Sequence, residues 1–524
     1  MLIRFNNNEM KLSGIGKNLG SALINAGIPL DLRCSGQGTC NRCKVNLLKG
    51  KFSVDDEEIT IDTKPVKVKA CQTIVLSEDS IIEIPRKSLA GSNPKCAESF
   101  DLGKFELSPQ HSGLAAVIDL GTTTIAAIVG NISTGEIIGS ASDYNKQFKY
   151  GDNVVSRISF CLDNKENLKL LQKTLVDENI NPLLKEICSE HDLNINDIKV
   201  FSVAGNTVMT HILWGLSPSG MGTIPFEPET KIFPELKADT LGINAAPDAI
   251  IKAVPAISGF IGGDITAGII VSRMSEEHQC ALLVDVGTNC ETVLQRNDQF
   301  YACAAAAGPA FEGAGVDCGS RGEQGAIEKI KITANLTIEC KVIGDVEPHG
   351  ICGSGMIDFV AEAKEYGLLN NFGRFDVDLL KNSGRYLKIQ NNIIACKLNE
   401  AGDIYMSEKD IESILKAKAA ILAGIKSLTA LEGCKVEDFD KVYLAGGFAG
   451  FINVENAIKI GMLPDIPVDK YKKIGNSSLA GAALHILNKD AEQQYIELTS
   501  SVQDIVLNTV PEFEMNYIDA LMLP

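Results

Sequence analysis

The run Leu114-Ala-Ala-Val-Ile-Asp119-Leu-Gly121-Thr122-Thr123-Thr124-Ile-Ala-Ala-Ile-Val129 returns, 166 residues later, as Leu282-Leu-Val-Asp285-Val-Gly287-Thr288-Asn289-Cys-Glu291-Thr-Val-Leu294. Each copy reads as an apolar strand, a polar turn and a second apolar strand, and two hairpins of one design imply two similar halves facing each other. In each turn the glycine lets the backbone approach a phosphate, and the following amides and threonine hydroxyls donate to its oxygens. Asp119 and Asp285 suit a hydrated Mg²⁺. A single Asp-x-Gly-Thr is a weak signal, because ordinary turns are rich in these residues; two copies between apolar strands are far more specific. A triphosphate between them would be clamped from both sides. Asp119, Asp285 and Glu291 are the candidate catalytic carboxylates, with Gly121, Thr122, Thr123, Gly287, Thr288 and Asn289 as candidate phosphate contacts.

Further glycine-rich segments follow in the C-terminal half. Val442–Gly450 is a strand running into Gly446 and Gly447, where side chains would obstruct a flat purine or ribose. Gly353, Ser354 and Gly355 open a helical run through Tyr366, so their free amides can meet an anion. Gly475–Gly481 enters a helix in the same way. Gly14-Ile-Gly16-Lys17 lacks the spacing of a Walker loop and is assigned to a turn before a helix.

With 524 residues the chain exceeds the ~250–300 residues at which single cores stop growing, so at least two core-bearing units are expected. Lysine and arginine number 49 against 67 aspartates and glutamates, a net charge of -18 that disfavours nucleic acid and anionic membranes. The start has no basic segment followed by an apolar core, and no uncharged apolar stretch reaches ~18 residues, so neither a secretory signal nor a membrane span is expected. The fifteen cysteines are an odd number and most are scattered singly, unlike a secreted disulfide framework. A reducing, cytoplasmic location is expected. The six histidines form no closely spaced ligand pair. Trp214, Cys290 and Cys352 are expected to be packing residues, and Cys96 a bystander thiol.

Residues 1–88 have a different character. Weak alternation over 2–5 and 9–13 gives way to helical spacing over Lys17–Ala26, and short strands are expected at 44–48, 66–70 and 73–84, an order that suits a small α+β unit of β-grasp type. Cys34, Cys40 and Cys43 have the spacing C-x5-C-x2-C, and Cys71 follows after 27 intervening residues. Three thiolates on one tight loop and a fourth on a neighbouring strand can surround two irons from one side, with Gly36 and Gly38 keeping the loop compact. A structural zinc ion is the alternative, although zinc sites usually pair one CxxC with another and only one such pair is present; four unliganded thiols are the remaining one. This segment resembles the [2Fe–2S] ferredoxins, with Lys-Ala-Cys71-Gln similar to the stretch carrying their fourth ligand. Ser35 and Asn41 stand where those loops usually have glycine. Residues 89–113 mix Gly, Ser, Pro and charge without periodicity and read as a linker.

Taken jointly, the phosphate and glycine segments resemble the acetate and sugar kinase, Hsp70 and actin superfamily of ATPases, with phosphate-1, phosphate-2 and adenosine motifs at 119–124, 285–291 and 443–449. The fold class expected is therefore a β-grasp ferredoxin-like domain followed by a two-lobed α/β actin-like ATPase over 114–524, with lobes of about 114–275 and 276–524. The combination is similar to the ATP-dependent reductive activators of corrinoid enzymes. Tyr150–Arg157, Val203–Thr207, Ile224–Pro228, Ala307–Gly313 and Ala520–Pro524 resemble blocks of that family. Larger members carry a further domain between linker and ATPase, whereas here only residues 89–113 intervene.

The resemblance implies a [2Fe–2S] cluster on Cys34, Cys40, Cys43 and Cys71, ATP with Mg²⁺, and one electron passed to Co(II) of a corrinoid protein to regenerate Co(I). It also implies an external low-potential electron donor and makes the ATPase domain a candidate for homodimerisation. Regenerating Co(I) calls for a very low potential, whereas plant-type clusters lie near about −400 mV, and each ~59 mV of deficit costs a one-electron step about 1.4 kcal/mol; the resemblance thus implies an uphill transfer that docking on the cobalt centre and ATP hydrolysis would offset, with closure of the two lobes on nucleotide expected to gate the docking. The stretch Ala302–Gly325 is a candidate partner-facing loop, with a buried strand pair as the alternative. A small-molecule kinase with a fused redox domain, or a nucleotide-binding redox sensor, would use the same motifs.

Overall fold

The computed structural model describes all residues except 6–7, 29, 31–37, 39–42, 86–87, 89–99, 101, 103–104, 106, 152, 278 and 390–391. Its N-terminal unit is a seven-stranded sheet built around the long strand Lys44–Val54, which pairs with Ile81–Glu83, Glu57–Ile61, Val66–Lys69 and Thr73–Val75. The helix Leu19–Asn25 starts at Asn18, whose side chain accepts from the Ser21 amide at 3.1 Å, a cap that satisfies one of the otherwise unpaired first-turn donors. Leu19 and Leu23 bury themselves against Val45, Leu47, Phe52 and Ile82, each fully buried side chain of this size contributing about 1.5–3 kcal/mol.

Three features differ from expectation. The strand expected at 44–48 runs on to Val54. The run 73–84 is two strands, because the chain turns at residues 76–80. The strand Glu57–Ile61 was not expected; it forms because Asp55 and Asp56 take left-handed backbone (φ 49° and 67°), the conformation that closes a tight hairpin onto Ser53 and Val54.

Described parts of 100–113 lie on the large region. Phe100 and Leu102 pack against a cluster containing Ala115, Val117, Leu479 and Tyr495, and the Ser108 amide donates to the Leu487 carbonyl at 2.8 Å.

Two six-stranded sheets dominate residues 114–524. The first runs in the order Glu136–Tyr144, Thr124–Asn131, Leu114–Leu120, Ile198–Gly205, Ile250–Ala253, Leu236–Lys237. The second runs Tyr471–Gly475, Lys441–Ala445, Cys280–Val286, Cys290–Arg296, Gln299–Ala305, Val502–Asp504. In both, the first strand of the expected hairpin is antiparallel to the second and parallel to a later strand, Ile198–Gly205 or Lys441–Ala445. The continuous apolar runs arise because both sheet faces are covered: Ala116, Ile118 and Leu120 face one cluster while Ala115 and Val117 face another, and Leu282 and Val284 divide from Ala281 and Leu283 in the same way.

The helices Gly263–Ser272 and Ser477–Leu487 join the halves. Ile265 and Ile269 pack on the second sheet while Ala267 packs with Leu479 and Ala482 under the first. A Cβ on Gly481 would lie 2.3 Å from the Ala267 Cβ, so the two helices cross at van der Waals limits.

Candidate functional site

Both Asp-x-Gly-Thr turns open onto one cavity of about 300 Å³, within the range of small-ligand sites. Asp119, Gly121, Thr122 and Thr123 line it from the first sheet, and Asp285, Gly287, Thr288, Asn289 and Glu291 from the second; Gly353, Ser354, Gly446 and Gly447 complete the expected set. Gly355 is not among the lining residues. Its missing side chain admits the Ile327 carbonyl, which a Cβ would meet at 2.5 Å, so it serves helix packing.

The first turn is held from behind. Asn145 Nδ2 donates to the Gly121 carbonyl at 3.0 Å, Arg157 Nη2 to the Thr122 carbonyl at 2.7 Å, and the Asn145 amide to the Thr123 carbonyl at 2.9 Å. All three turn carbonyls are thereby engaged within the protein. At the second turn Gly446, with φ 94°, passes so close to Asp285 that a Cβ would sit 2.6 Å from its Oδ1. Gly353 packs against the Phe311 carbonyl and the Phe448 ring, and Phe311 and Phe448 stack with centroids 5.6 Å apart.

Several lining residues carry no individual role in the sequence reading. Asp264 stands in the first turn of the helix Gly263–Ser272 and accepts from the Ile265 amide at 2.9 Å. Asn476 Nδ2 donates to Asp119 Oδ2 at 2.8 Å. Glu312 accepts from Thr123 Oγ1 at 3.1 Å and from Thr288 Oγ1, and the two hydroxyls are 3.3 Å apart. Arg321 lies over the Tyr144 ring, 3.7 Å from its centroid. Glu312 and Asn476 fall in segments that the sequence had already singled out. Asp264 follows Gly262-Gly263, a signal of the same kind that passed unused.

Electrostatically the floor is crowded with carboxylates. Burial pushes Asp119 and Asp285 each up to about 7, with repulsion from Asp264 adding to both, while hydrogen bonds from Asn476 and Ser478 hold Asp119 back. Burial likewise raises Asp264, and it holds Glu291 well above the usual carboxylate range beside Asp264 and Asp285. Such a set favours a cation, which would remove both the desolvation cost and the mutual repulsion.

In the N-terminal unit the Ala70 amide donates to the Cys43 carbonyl at 2.9 Å, setting Cys43 beside the turn Ala70–Gln72 that carries Cys71. Both cysteines are buried. Gln72 Nε2 approaches Cys71 Sγ at 3.7 Å, Lys69 Nζ donates to the Gly38 carbonyl at 2.6 Å, and Gly38 has φ 75°. The structure thus places Cys43 and Cys71, two of the four expected ligands, on neighbouring hydrogen-bonded segments of one core; Cys34 and Cys40 lie outside the described residues. Cys290 and Cys352 are buried, as is Trp214, whose indole donates to the Pro234 carbonyl at 2.9 Å. Among the described residues no helix is long and apolar enough to cross a membrane.

Comparison with known proteins finds three family models in succession. They are the 2Fe-2S iron-sulfur cluster binding domain over residues 6–76, the RACo middle region over 114–277, and the C-terminal ASKHA domain of RACo over 279–524. The corrinoid activation enzyme RamQ of Eubacterium limosum is 28% identical, over 94% of this chain and 93% of its own. The Co(II) methylated amine-specific corrinoid protein reductase of Methanosarcina barkeri is 25% identical, over 74% of this chain and 72% of its own. A solved reductive activator for corrinoid, iron-sulfur protein superposes with a TM-score of 0.75 at 28% identity, covering 100% of this chain and 98% of that one.

Proposed function

The chain belongs to the RACo family, and from that premise we propose that it is an ATP-dependent reductive activator, passing one electron to the Co(II) of a corrinoid protein to regenerate Co(I). The observation that carries this reading is the pairing, in one chain, of a 2Fe-2S domain with a cavity where both phosphate turns meet. We assign residues 1–88 to the electron-carrying domain, 89–113 to the connector and 114–524 to the ATPase.

When bound, a [2Fe–2S] cluster would supply a single low-potential electron. The residues present fit it: Cys43 and Cys71 are buried on neighbouring segments joined by the Ala70–Cys43 backbone hydrogen bond, and Gly38 is left-handed and close to the Gln72 side chain beside Cys71. Cys34 and Cys40 would complete the ligand set. In the cavity, the amides and hydroxyls of Gly121–Thr123 and Gly287–Asn289 would hold the phosphates, and Gly446 and Gly447 would leave room for the nucleoside. Asp119, Asp285 and Glu291 would hold Mg²⁺, an ion that keeps several of its waters. Because the turns belong to different sheets, gripping one triphosphate draws the halves together about the crossed helices, which is how nucleotide would gate docking.

A separate low-potential donor would recharge the iron–sulfur domain. Met515 and Ile518, exposed on the helix Phe513–Ala520, and Met522 just after it, support self-association through the ATPase. The odd number of cysteines, most of them scattered singly, supports a reducing, cytoplasmic setting. The decisive experiment mixes reduced protein, ATP and a Co(II) corrinoid protein and follows the cobalt spectrum. Co(I) should appear only with ATP; its appearance at the same rate without nucleotide would remove the coupling.

A further inference from the structure

One segment, residues 310–321, touches both the phosphate turns and the iron–sulfur domain. At its start Glu312 accepts hydrogen bonds from Thr123 Oγ1 and Thr288 Oγ1, the two hydroxyls that the turns would offer to a phosphate. A carboxylate in that place competes with a phosphate oxygen for the same donors, and its charge repels the incoming group. At its end Arg321 reaches the cavity over the Tyr144 ring.

Between these ends the segment meets the N-terminal domain. Asp317 Oδ1 is 3.6 Å from Lys44 Nζ, with the two side chains only 17% and 27% exposed. Lys44 directly follows Cys43 and opens the central strand Lys44–Val54. Asp317 is itself anchored: its amide donates to Asp410 Oδ1 at 2.8 Å, and the Tyr405 hydroxyl donates to its Oδ2 at 3.5 Å. Gly313 and Gly315 stand between Glu312 and Asp317 with φ 78° and 76°. A Cβ on Gly315 would meet nothing within 4 Å, whereas one on Gly313 would strike the Ser320 backbone. The segment is therefore folded back on itself at Gly313 and open at Gly315, so a shift of Glu312 has a route to Asp317.

We propose that residues 310–321 form a relay in which Glu312 occupies a phosphate seat and Asp317 holds the iron–sulfur domain through Lys44. A triphosphate entering the turns displaces Glu312 and weakens the Lys44–Asp317 contact, freeing the domain to reach the corrinoid partner. This rests on the activator reading and adds the device that links its two halves.

The test uses the full, cluster-loaded chain and a non-hydrolysable ATP analogue with Mg²⁺. Carbodiimide treatment should join Lys44 to Asp317, detected by peptide mass spectrometry, and saturating analogue should cut that yield severalfold. Glu312→Gln keeps the size and loses the charge; it should bind the analogue roughly fivefold tighter, the scale of removing one screened like charge, and give a low crosslink yield even without nucleotide. Asp317→Asn, remote from the phosphates, should bind the analogue more tightly, because a contact that nucleotide weakens must in turn oppose nucleotide binding; affinity within error of the unaltered chain would overturn the relay. Weaker binding by Glu312→Gln would make Glu312 a ligand of the nucleotide or its cation and overturn the relay, as would no crosslink in the absence of nucleotide or a yield indifferent to the analogue. Calorimetry on the unaltered protein comes first: no analogue binding there would sink the activator reading as well, whereas binding with an indifferent crosslink sinks the relay alone.

Discussion

Arg157 illustrates how much of the site rests on residues behind it. It is 1% exposed, donating from Nε to the Gly151 carbonyl at 3.1 Å and from Nη2 to the Thr122 carbonyl at 2.7 Å. The guanidinium fork spans two acceptors that a lysine ammonium, a single point on a flexible stem, does not. Arg157→Lys should therefore cost about 1–3 kcal/mol of stability by leaving a buried carbonyl unpartnered, and weaken nucleotide binding although Arg157 does not line the cavity; melting and titration calorimetry read the two effects. The acidic floor makes a second prediction. Asp119 and Asp285, raised to about 7 chiefly by burial, hold protons in the folded state at pH values where the unfolded chain has lost them. Between about pH 4 and 7 the native state thus binds more protons, and this cluster's contribution to stability falls as pH rises. A bound cation needs the deprotonated forms, so the rise in melting temperature on adding Mg²⁺ and nucleotide should grow from pH 6 to pH 8. A rise that shrinks over that range would contradict the cation assignment.

At the scale of elements, the hairpins were legible because each carries its own signal: continuous apolar runs, buried on both sheet faces, and a turn of Asp, Gly and Thr. The strand Glu57–Ile61 was not, since its residues are mostly polar and its pairing depends on the left-handed Asp55-Asp56 corner. The helix Ser477–Leu487 was expected as a helix, but nothing local indicates that it lies under the first sheet, more than 220 residues back along the chain. Its crossing with Gly263–Ser272 is the joint that carries Asp264, Asn476 and Ser478 to the cavity. Gly481→Val inserts bulk where the Ala267 Cα would already be 2.7 Å from a Cβ. Overpacking of this kind costs typically about 1–3 kcal/mol. A lowered melting temperature together with weaker nucleotide binding is expected, and loss of stability with unchanged affinity would show that the joint does not position the site.

For the whole molecule the two chemistries should separate cleanly. Cys71→Ser should abolish the iron–sulfur absorbance and the reduction of Co(II) while leaving nucleotide binding intact; Asp285→Ala should suppress ATP hydrolysis while the cluster colour remains. Loss of both properties in either variant would mean that the two units do not fold independently. The segment read as a linker is partly seated, because Phe100, Leu102 and Ser108 pack or hydrogen-bond on the large C-terminal region.

Local chemistry was decided by sequence alone. Cysteine spacing, glycine turns and runs of apolar residues act over a few positions, so the chain's order of letters is enough to specify an iron–sulfur unit, two phosphate turns and the family they resemble. The convergence of Asp264, Glu312, Arg157 and Asn476 on those turns, and the contact of Lys44 with Asp317, were decided only in the folded molecule. Such meetings depend on how two sheets stack on a shared pair of helices, and packing between segments hundreds of residues apart leaves no periodicity to read.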